Sequence, residues 1–438
     1  MSGLIGREGA MGVGESGAGE SGGGRAGAVG TAGTLGGGDC TGGSGAVGAT
    51  GEVGGATART WGAGRVRRVL LAVVVAVAVV APLAAFARPR IPAPAPAVLA
   101  PVTAATLDEA YEANRANAAQ AARMATANGD RKRAEADRSM AASTRQFLSF
   151  DGRGAGQAVE VFGDLKHADS VAVLVPGSDT TLDTYDRFRA GATALMDEVA
   201  TRSSGGAYGT RTVRAIRTAH AAHAAHAAHA AHAAHAAHAA RAARAARTAV
   251  VSWLGYETPR TISTTVLTTG RAEFAAPRLE AFVRELRGLV GQDARISLLC
   301  HSYGSVVCAR AAERADSTDS TDSADRQGAG LQGEARVDDI VFVGSPGTGA
   351  DSAAALHTSA RVWAARGSGD WIADVPHADA GLFGTTVGFG TDPVSPAFGA
   401  RVFAAGDGGH SDYFRPGSVS LDNLARIVLG DTLEVTRV

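Results

Sequence analysis

From Gln157 onward, short apolar runs alternate with stretches of helical periodicity, and this alternation limits the possible folds more than any other feature of the chain. The runs are "QAVEVF", "SVAVLV", "AVVSWL", "RISLLC", "DIVFVG", "RVWAAR" and "RVFAA". Several carry too little polar alternation for a sheet with one wet face, which predicts strands buried on both faces. Helical candidates at Leu182–Ala200, Ala272–Val290 and Ser305–Arg314 fall between them. Strand, helix and strand in that order predict a mostly parallel sheet with helices on both faces, an α/β architecture.

The part before this domain has another character. Residues 1–64 are mostly Gly, Ala, Ser and Thr with few large apolar side chains, so burial cannot offset the entropy of ordering them, and a disordered arm is expected. Within 65–90 an uncharged stretch, Val69–Ala87, is bounded by Arg65, Arg67 and Arg68 on one side and Arg88 and Arg90 on the other. At about 1.5 Å rise per residue it just spans a hydrocarbon core as one membrane-directed helix, with the heavier basic side in the cytoplasm. The alternative is a signal peptide, with Val69–Ala81 as its apolar region and "AFA" at Ala85–Ala87 as its cleavage site. Both readings export the α/β domain. The Pro- and Ala-rich residues 91–105 favour an extended spacer, and 106–149 read as a helical hairpin. Thr106 and Glu109 have capping-box spacing, and Asn128-Gly129 is the stop between its two helices.

Two low-complexity inserts, at 201–247 and 315–336, interrupt the α/β pattern. In the first, every third residue from Arg211 to Arg247 is Arg or His, including seven histidines from His220 to His238. A period of three drifts around a helix of about 3.6 residues per turn, so these side chains form no single face and no metal site. The formal net charge of −1 leaves no basic excess for a phosphate backbone, and no nucleic-acid partner is expected. Three cysteines, Cys40, Cys300 and Cys308, fit neither a disulfide framework nor a zinc site. Cys300 and Cys308 are therefore expected as buried thiols.

Chemistry concentrates at residues 296–308, "ISLLCHSYGSVVC". A buried strand, a sharp turn and a helix near Gly304 make Ser302 a candidate nucleophile on an elbow of the G-x-S-x-G type, with Cys300 at the first glycine position. A serine needs a base in hydrogen-bond reach and an acid that orients the base, supplied here in the chain order Ser, Asp, His. Asp370, in the loop after "RVWAAR", is the candidate acid, and His410, in the loop after "RVFAA", the candidate base. Asp374 is the alternative acid, and His377 and His357 the alternative bases; His301 reads as a positioning residue. Backbone N–H groups of Tyr303 and of Ser178, in the "VPGSDTT" loop, are the candidate oxyanion hole, with Gly177 permitting a tight turn there. The segment between Asp370 and His410 is expected to overhang the site. Its Leu382, Phe383, Phe389 and Phe398 either line an apolar acyl pocket or pack into the core.

The blocks "VAVLVPGSDTTLDTYDRF", "VSWLGYETP", "LLCHSYGSVV", "DDIVFVGSPGTGADSA", "ARGSGDWI" and "GHSDYFRPGSVSLDNLARIV" together resemble a family of bacterial α/β-hydrolases of unestablished substrate. The resemblance runs from about Phe150 to the C-terminus without the inserts. It implies an α/β-hydrolase fold with Ser302 as nucleophile, Asp370 as acid and His410 as base. Cys300 and the His-Ala insert are the departures from the family's pattern. The expected activity is that of an exported or membrane-tethered serine hydrolase, cleaving a carboxylic ester or related small-molecule acyl substrate through an acyl-enzyme, without metal or organic cofactor. The membrane would be a partner through residues 69–87 if that segment is uncleaved. An acyltransferase with the same triad and a catalytically silent surface binding protein are the alternatives.

Overall fold

The computed structural model describes residues 91–203, 247–313, 331, 333–375, 379–382 and 385–438, all within one compact unit, Pro82–Val438. The expected disordered arm, the membrane-directed run Val69–Ala87, the histidine repeat, most of the acidic insert, His377 and Phe383 lie outside the described residues. Among the described residues no helix is long and apolar enough to cross a membrane.

Eight strands form one sheet: β1 (Gln146–Asp151), β2 (Gln157–Phe162), β3 (Ser170–Val175), β4 (Thr248–Leu254), β5 (Arg295–His301), β6 (Asp339–Val343), β7 (Arg361–Ala365) and β10 (Arg401–Val402). Their spatial order is β1-β2-β4-β3-β5-β6-β7-β10. From β4 to β10 all neighbours are parallel, whereas β1 with β2 and β2 with β4 are antiparallel. β8 (Asp379–Leu382) and β9 (Thr385–Gly388) form a separate antiparallel pair between β7 and β10 in sequence.

Because successive strand residues point to opposite faces, each central strand feeds two cores. Val171, Val173 and Val175 of β3 join Ile296 and Leu298 of β5 on the face covered by α4 (Gly270–Val290) and α5 (Gly304–Glu313). Ala172 and Leu174 join Leu299 and Val341 on the other face, under α3 (Tyr185–Ser203) and α6 (Val419–Leu429). This two-sided burial produces the uninterrupted apolar runs of the sequence, and the architecture is the expected mostly parallel sheet with helices on both faces.

Before the sheet come α1 (Leu107–Ala127) and α2 (Arg131–Met140). Two expectations are corrected here. The stretch 106–149 is not helical to its end, since "QFLSFD" is strand β1. A register shift between Phe147 and Ser149 lets Phe147 and Phe150, three residues apart, enter the same small core beside α1, and that spacing imitates a helical period. The capping box at Thr106 does not form either: its hydroxyl donates to the Pro101 carbonyl and accepts from the Thr103 N–H instead. Residues 91–100 have no regular structure and rest on the domain, where the Ala95 carbonyl accepts from Asn117 Nδ2.

Candidate active site

The C-terminal ends of the parallel strands converge on Ser302. β5 ends at His301, and α5 starts at Gly304, so the chain must reverse within two residues. Ser302 takes up the reversal with φ of 55°, a left-handed conformation that a non-glycine residue adopts only when its surroundings hold it there. Its N–H donates to the Val343 carbonyl at 3.0 Å. Gly304 is obligatory: a Cβ there would lie 2.5 Å from the Val175 carbonyl oxygen. A Cβ on Gly177 would lie 2.6 Å from Ser302 Cβ, so only glycine allows this loop to approach the elbow so closely.

Cys300 and Cys308 are joined in a disulfide, with Cα atoms 6.5 Å apart, and are not the free thiols expected. The elbow folds α5 back over the end of β5, bringing together two residues eight apart in sequence. Counting cysteines along the chain does not register such a local reversal; the strand-turn-helix pattern around Ser302 was the signal available.

The structure brings Asp370 and His410 to Ser302 in an unbroken line. His410 Nδ1 donates to the Asp370 carboxylate, 2.9 Å from Oδ1 and 3.1 Å from Oδ2, because a carboxylate only accepts. The other nitrogen, Nε2, is then left to accept from Ser302 Oγ, 3.0 Å away. Asp370 follows β7 in "ARGSGD" and caps the short 3-10 turn Trp371–Asp374, accepting from the Ile372 N–H at 2.9 Å. The loops are packed to the point where only glycine fits: a Cβ on Gly344 would meet Asp370 Oδ2 and Tyr413, and one on Gly367 would lie 2.1 Å from the Gly408 carbonyl oxygen.

Asp370 is only 3% exposed. Burial pushes its carboxyl up, but hydrogen bonds from His410, Tyr413 and the Ile372 N–H together outweigh that and hold it below the usual carboxylate range. Tyr413 was missed in the sequence. Its hydroxyl donates to Asp370 Oδ2 at 2.5 Å and accepts from the Gly367 N–H at 3.1 Å. Three residues after His410, it closes the same turn, and no property of the type or spacing distinguishes it from a core tyrosine.

His301 lies against His410 with ring centroids 4.8 Å apart and donates Nε2–H to the His410 carbonyl at 2.7 Å. Burial, followed by the neighbouring His410, lowers its pKa to about 4, so the ring stays neutral at ordinary pH and fixes the loop that carries His410. Trp371 also lies against His410, with ring centroids 4.7 Å apart. Of the alternatives, Asp374 is exposed, and His357 is exposed at the end of a 3-10 turn, outside the residues that line the site.

A cavity of about 750 Å³ opens over Ser302 and is lined by both Ser178 and Tyr303 as well as His301, His410 and Trp371. Among the described residues, the backbone N–H groups of Ser178 and Tyr303 donate to no protein acceptor, leaving both available to a ligand oxygen. The Tyr303 hydroxyl is engaged elsewhere, donating to the Thr268 carbonyl at 2.7 Å. Phe389 lines the cavity, while Phe398 is packed against Phe342 in the core. Leu382 is in β8, and Phe383 lies outside the described residues. Apolar walls come from both faces of the sheet, Phe188 and Phe414 on the α3 side and Val266 and Phe389 on the α4 side. Among the described residues no group of His, Cys, Asp and Glu side chains has the arrangement to hold a metal ion.

No curated protein matches the chain in sequence. One solved structure, the crystal structure of 2,6-dihydroxy-pseudo-oxynicotine hydrolase, is similar over 75% of this chain and 90% of its own, at 10% identity and a TM-score of 0.32. The family model described as alpha/beta hydrolase matches residues 151–212 and 196–380, which together cover more than half of the 438 residues. With a match of that extent over the sheet and the elbow, the chain belongs to the alpha/beta hydrolase family.

Proposed function

We propose that the protein is a serine hydrolase that cleaves carboxylic esters of small, largely apolar molecules through an acyl-enzyme. One observation carries the reading: Asp370, His410 and Ser302 are linked by hydrogen bonds of 2.9 and 3.0 Å at the mouth of the cavity. Ser302 Oγ attacks the ester carbonyl carbon while His410 Nε2 takes its proton. The oxyanion receives the N–H groups of Tyr303 and Ser178, and Asp370 stabilises the imidazolium that forms. Collapse expels the alcohol, which leaves with the proton from His410. Water, activated by the same imidazole, then attacks the acyl-enzyme and releases the acid.

The test is labelling by a fluorophosphonate together with turnover of p-nitrophenyl esters. Wild-type protein labels and turns over, and Ser302→Ala does neither. A wild-type protein that never labels favours a binding role, and release of acylated alcohol or amine in place of free acid favours acyl transfer.

The same reading places the enzyme outside the cytoplasm, exported or tethered by Val69–Ala87. Its supports are the flanking arginines of that run and the Cys300–Cys308 disulfide, since disulfides persist in oxidising compartments. Cell fractionation with N-terminal sequencing distinguishes tethered, cleaved and cytoplasmic protein.

A further inference from the structure

Large apolar side chains stand in solvent around the mouth of the cavity. Ile262 is 97% exposed, Phe274 80%, Trp371 51% and Leu267 48%. Leu267 and Trp371 line the cavity itself, as does Thr261 beside Ile262. Phe274 lies in the first turns of α4, whose start is pinned to the elbow: Tyr303 Oη accepts from the Ala272 N–H at 3.2 Å and donates to the Thr268 carbonyl. The start of the helix that carries Phe274 is thus held to the elbow through Tyr303. Scattered single apolar residues need no explanation, but an apolar rim continuous with an apolar cavity does.

A second observation is independent of the first. The described chain begins at Ile91, four residues after the apolar run Val69–Ala87 ends. Ala93 packs at Gly152, where a Cβ would lie 3.0 Å from its own. Gly152 follows β1, whose end is level with the end of β4, because Asp151 pairs with Gln157 and Ala158 pairs with Leu254. The start of the domain therefore lies at the same edge of the sheet as Ser302 and the exposed rim. If a membrane holds the run before Ile91, that edge is the one turned toward it.

We infer that the rim formed by Ile262, Leu267, Phe274 and Trp371 docks on a lipid surface, and that the enzyme draws its ester substrate from that surface into the cavity. The inference rests on the serine-hydrolase reading and names the substrate class as a membrane-dissolved ester. A protein partner would cover the rim but would deliver no apolar small molecule to the serine, whereas a lipid layer does both. Arg187 and Arg260 are exposed near the rim, as are the carboxylates Asp179 and Asp374, so charges of both signs border its apolar centre, as at a headgroup layer.

The test uses the full chain and the double variant I262S/F274S, neither residue of which lines the cavity. Two substrates are compared: soluble p-nitrophenyl acetate, and p-nitrophenyl palmitate dissolved in phosphatidylcholine vesicles containing phosphatidylglycerol. The variant should keep kcat/KM on the acetate within about twofold and lose roughly tenfold or more on the palmitate. Quenching of tryptophan fluorescence by brominated lipid should fall in the variant as well. Equal activity of variant and wild type on vesicle-borne palmitate, with unchanged quenching, overturns the docking. If wild-type protein hydrolyses neither ester, the hydrolase reading fails, and the quenching comparison alone still decides the docking.

Discussion

Two buried aspartates sit at opposite ends of the sheet, and they differ in what they leave available. Asp339 begins β6 at the N-terminal edge and is fully buried. It accepts two hydrogen bonds from Arg361 at 2.7 Å, one from Arg295 at 2.7 Å and one from Trp363 Nε1 at 2.9 Å. Both oxygens are committed to donors that do not titrate near neutrality, and no cavity residue is involved. Asp370, at the C-terminal edge, is nearly as buried but holds an imidazole whose second nitrogen faces a hydroxyl and open space. Burial and charge are alike in the two; the difference is that one network ends in arginine and the other in a group able to pass a proton. The contrast matches the general placement of functional loops at the carboxyl ends of parallel strands.

The largest expected effects separate the two edges. Ser302→Ala and Asp370→Asn should each lower kcat by about 10³–10⁴-fold, with the thermal midpoint nearly unchanged. Asp339→Asn should do the reverse, because it leaves Arg295 and Arg361 with an uncompensated charge. A loss of about 3–5 kcal/mol in unfolding free energy is expected, read from the urea midpoint, with kcat of the folded fraction retained. A folded, stable Asp339→Asn protein without activity would break the comparison.

A smaller effect sharpens it. Tyr413→Phe removes one of the three hydrogen bonds that hold Asp370 below the usual carboxylate range. A hydrogen bond to a charged group contributes about 1.5–3 kcal/mol, so kcat should fall roughly tenfold while KM holds. The acid limb of the kcat profile should also move to higher pH, since the carboxyl loses a donor that favours its charged form. A purely structural role would lower the melting temperature without moving that limb.

How much of this was legible in the sequence depends on whether the signal was local. The strands from β2 to β7 were readable because burial on both faces removes polar alternation, and Ser302 was readable because an elbow is written in consecutive residues. Asp370 and His410 could be named from chain order and strand ends, but their meeting at Ser302 is made by packing, through Gly344, Gly367 and Gly408. Tyr413, the disulfide and the rim around Ile262 were not readable, because each acquires its role from neighbours the chain reaches only after folding. The misassigned helix ending in β1 has a different cause. A register shift placed Phe147 and Phe150 on one side of a strand, and a spacing of three residues on one side is also the mark of a helix turn.

The smallest expected effect concerns the ring beside Ser302 and again distinguishes the two edges. His301 has its pKa lowered from 6.5 to about 4, chiefly by burial, so the folded protein refuses a proton that the unfolded chain accepts between those values. The unfolded state then binds more protons than the native state as pH falls through that window. Stability from this group is therefore fully present above pH 6.5 and is lost progressively toward pH 4. A melting temperature that falls by about a few degrees over this range is expected, with His301→Asn showing a flatter dependence over the same range. Because burial and the neighbouring His410 disfavour a charged His301 ring, its protonation should also loosen the loop at the Ser302 edge before the Arg-bound Asp339 edge changes. Hydrogen exchange should rise first at residues 408–413 as the pH is lowered. Simultaneous loss of protection at β6 would mean that the two ends of the sheet open as one.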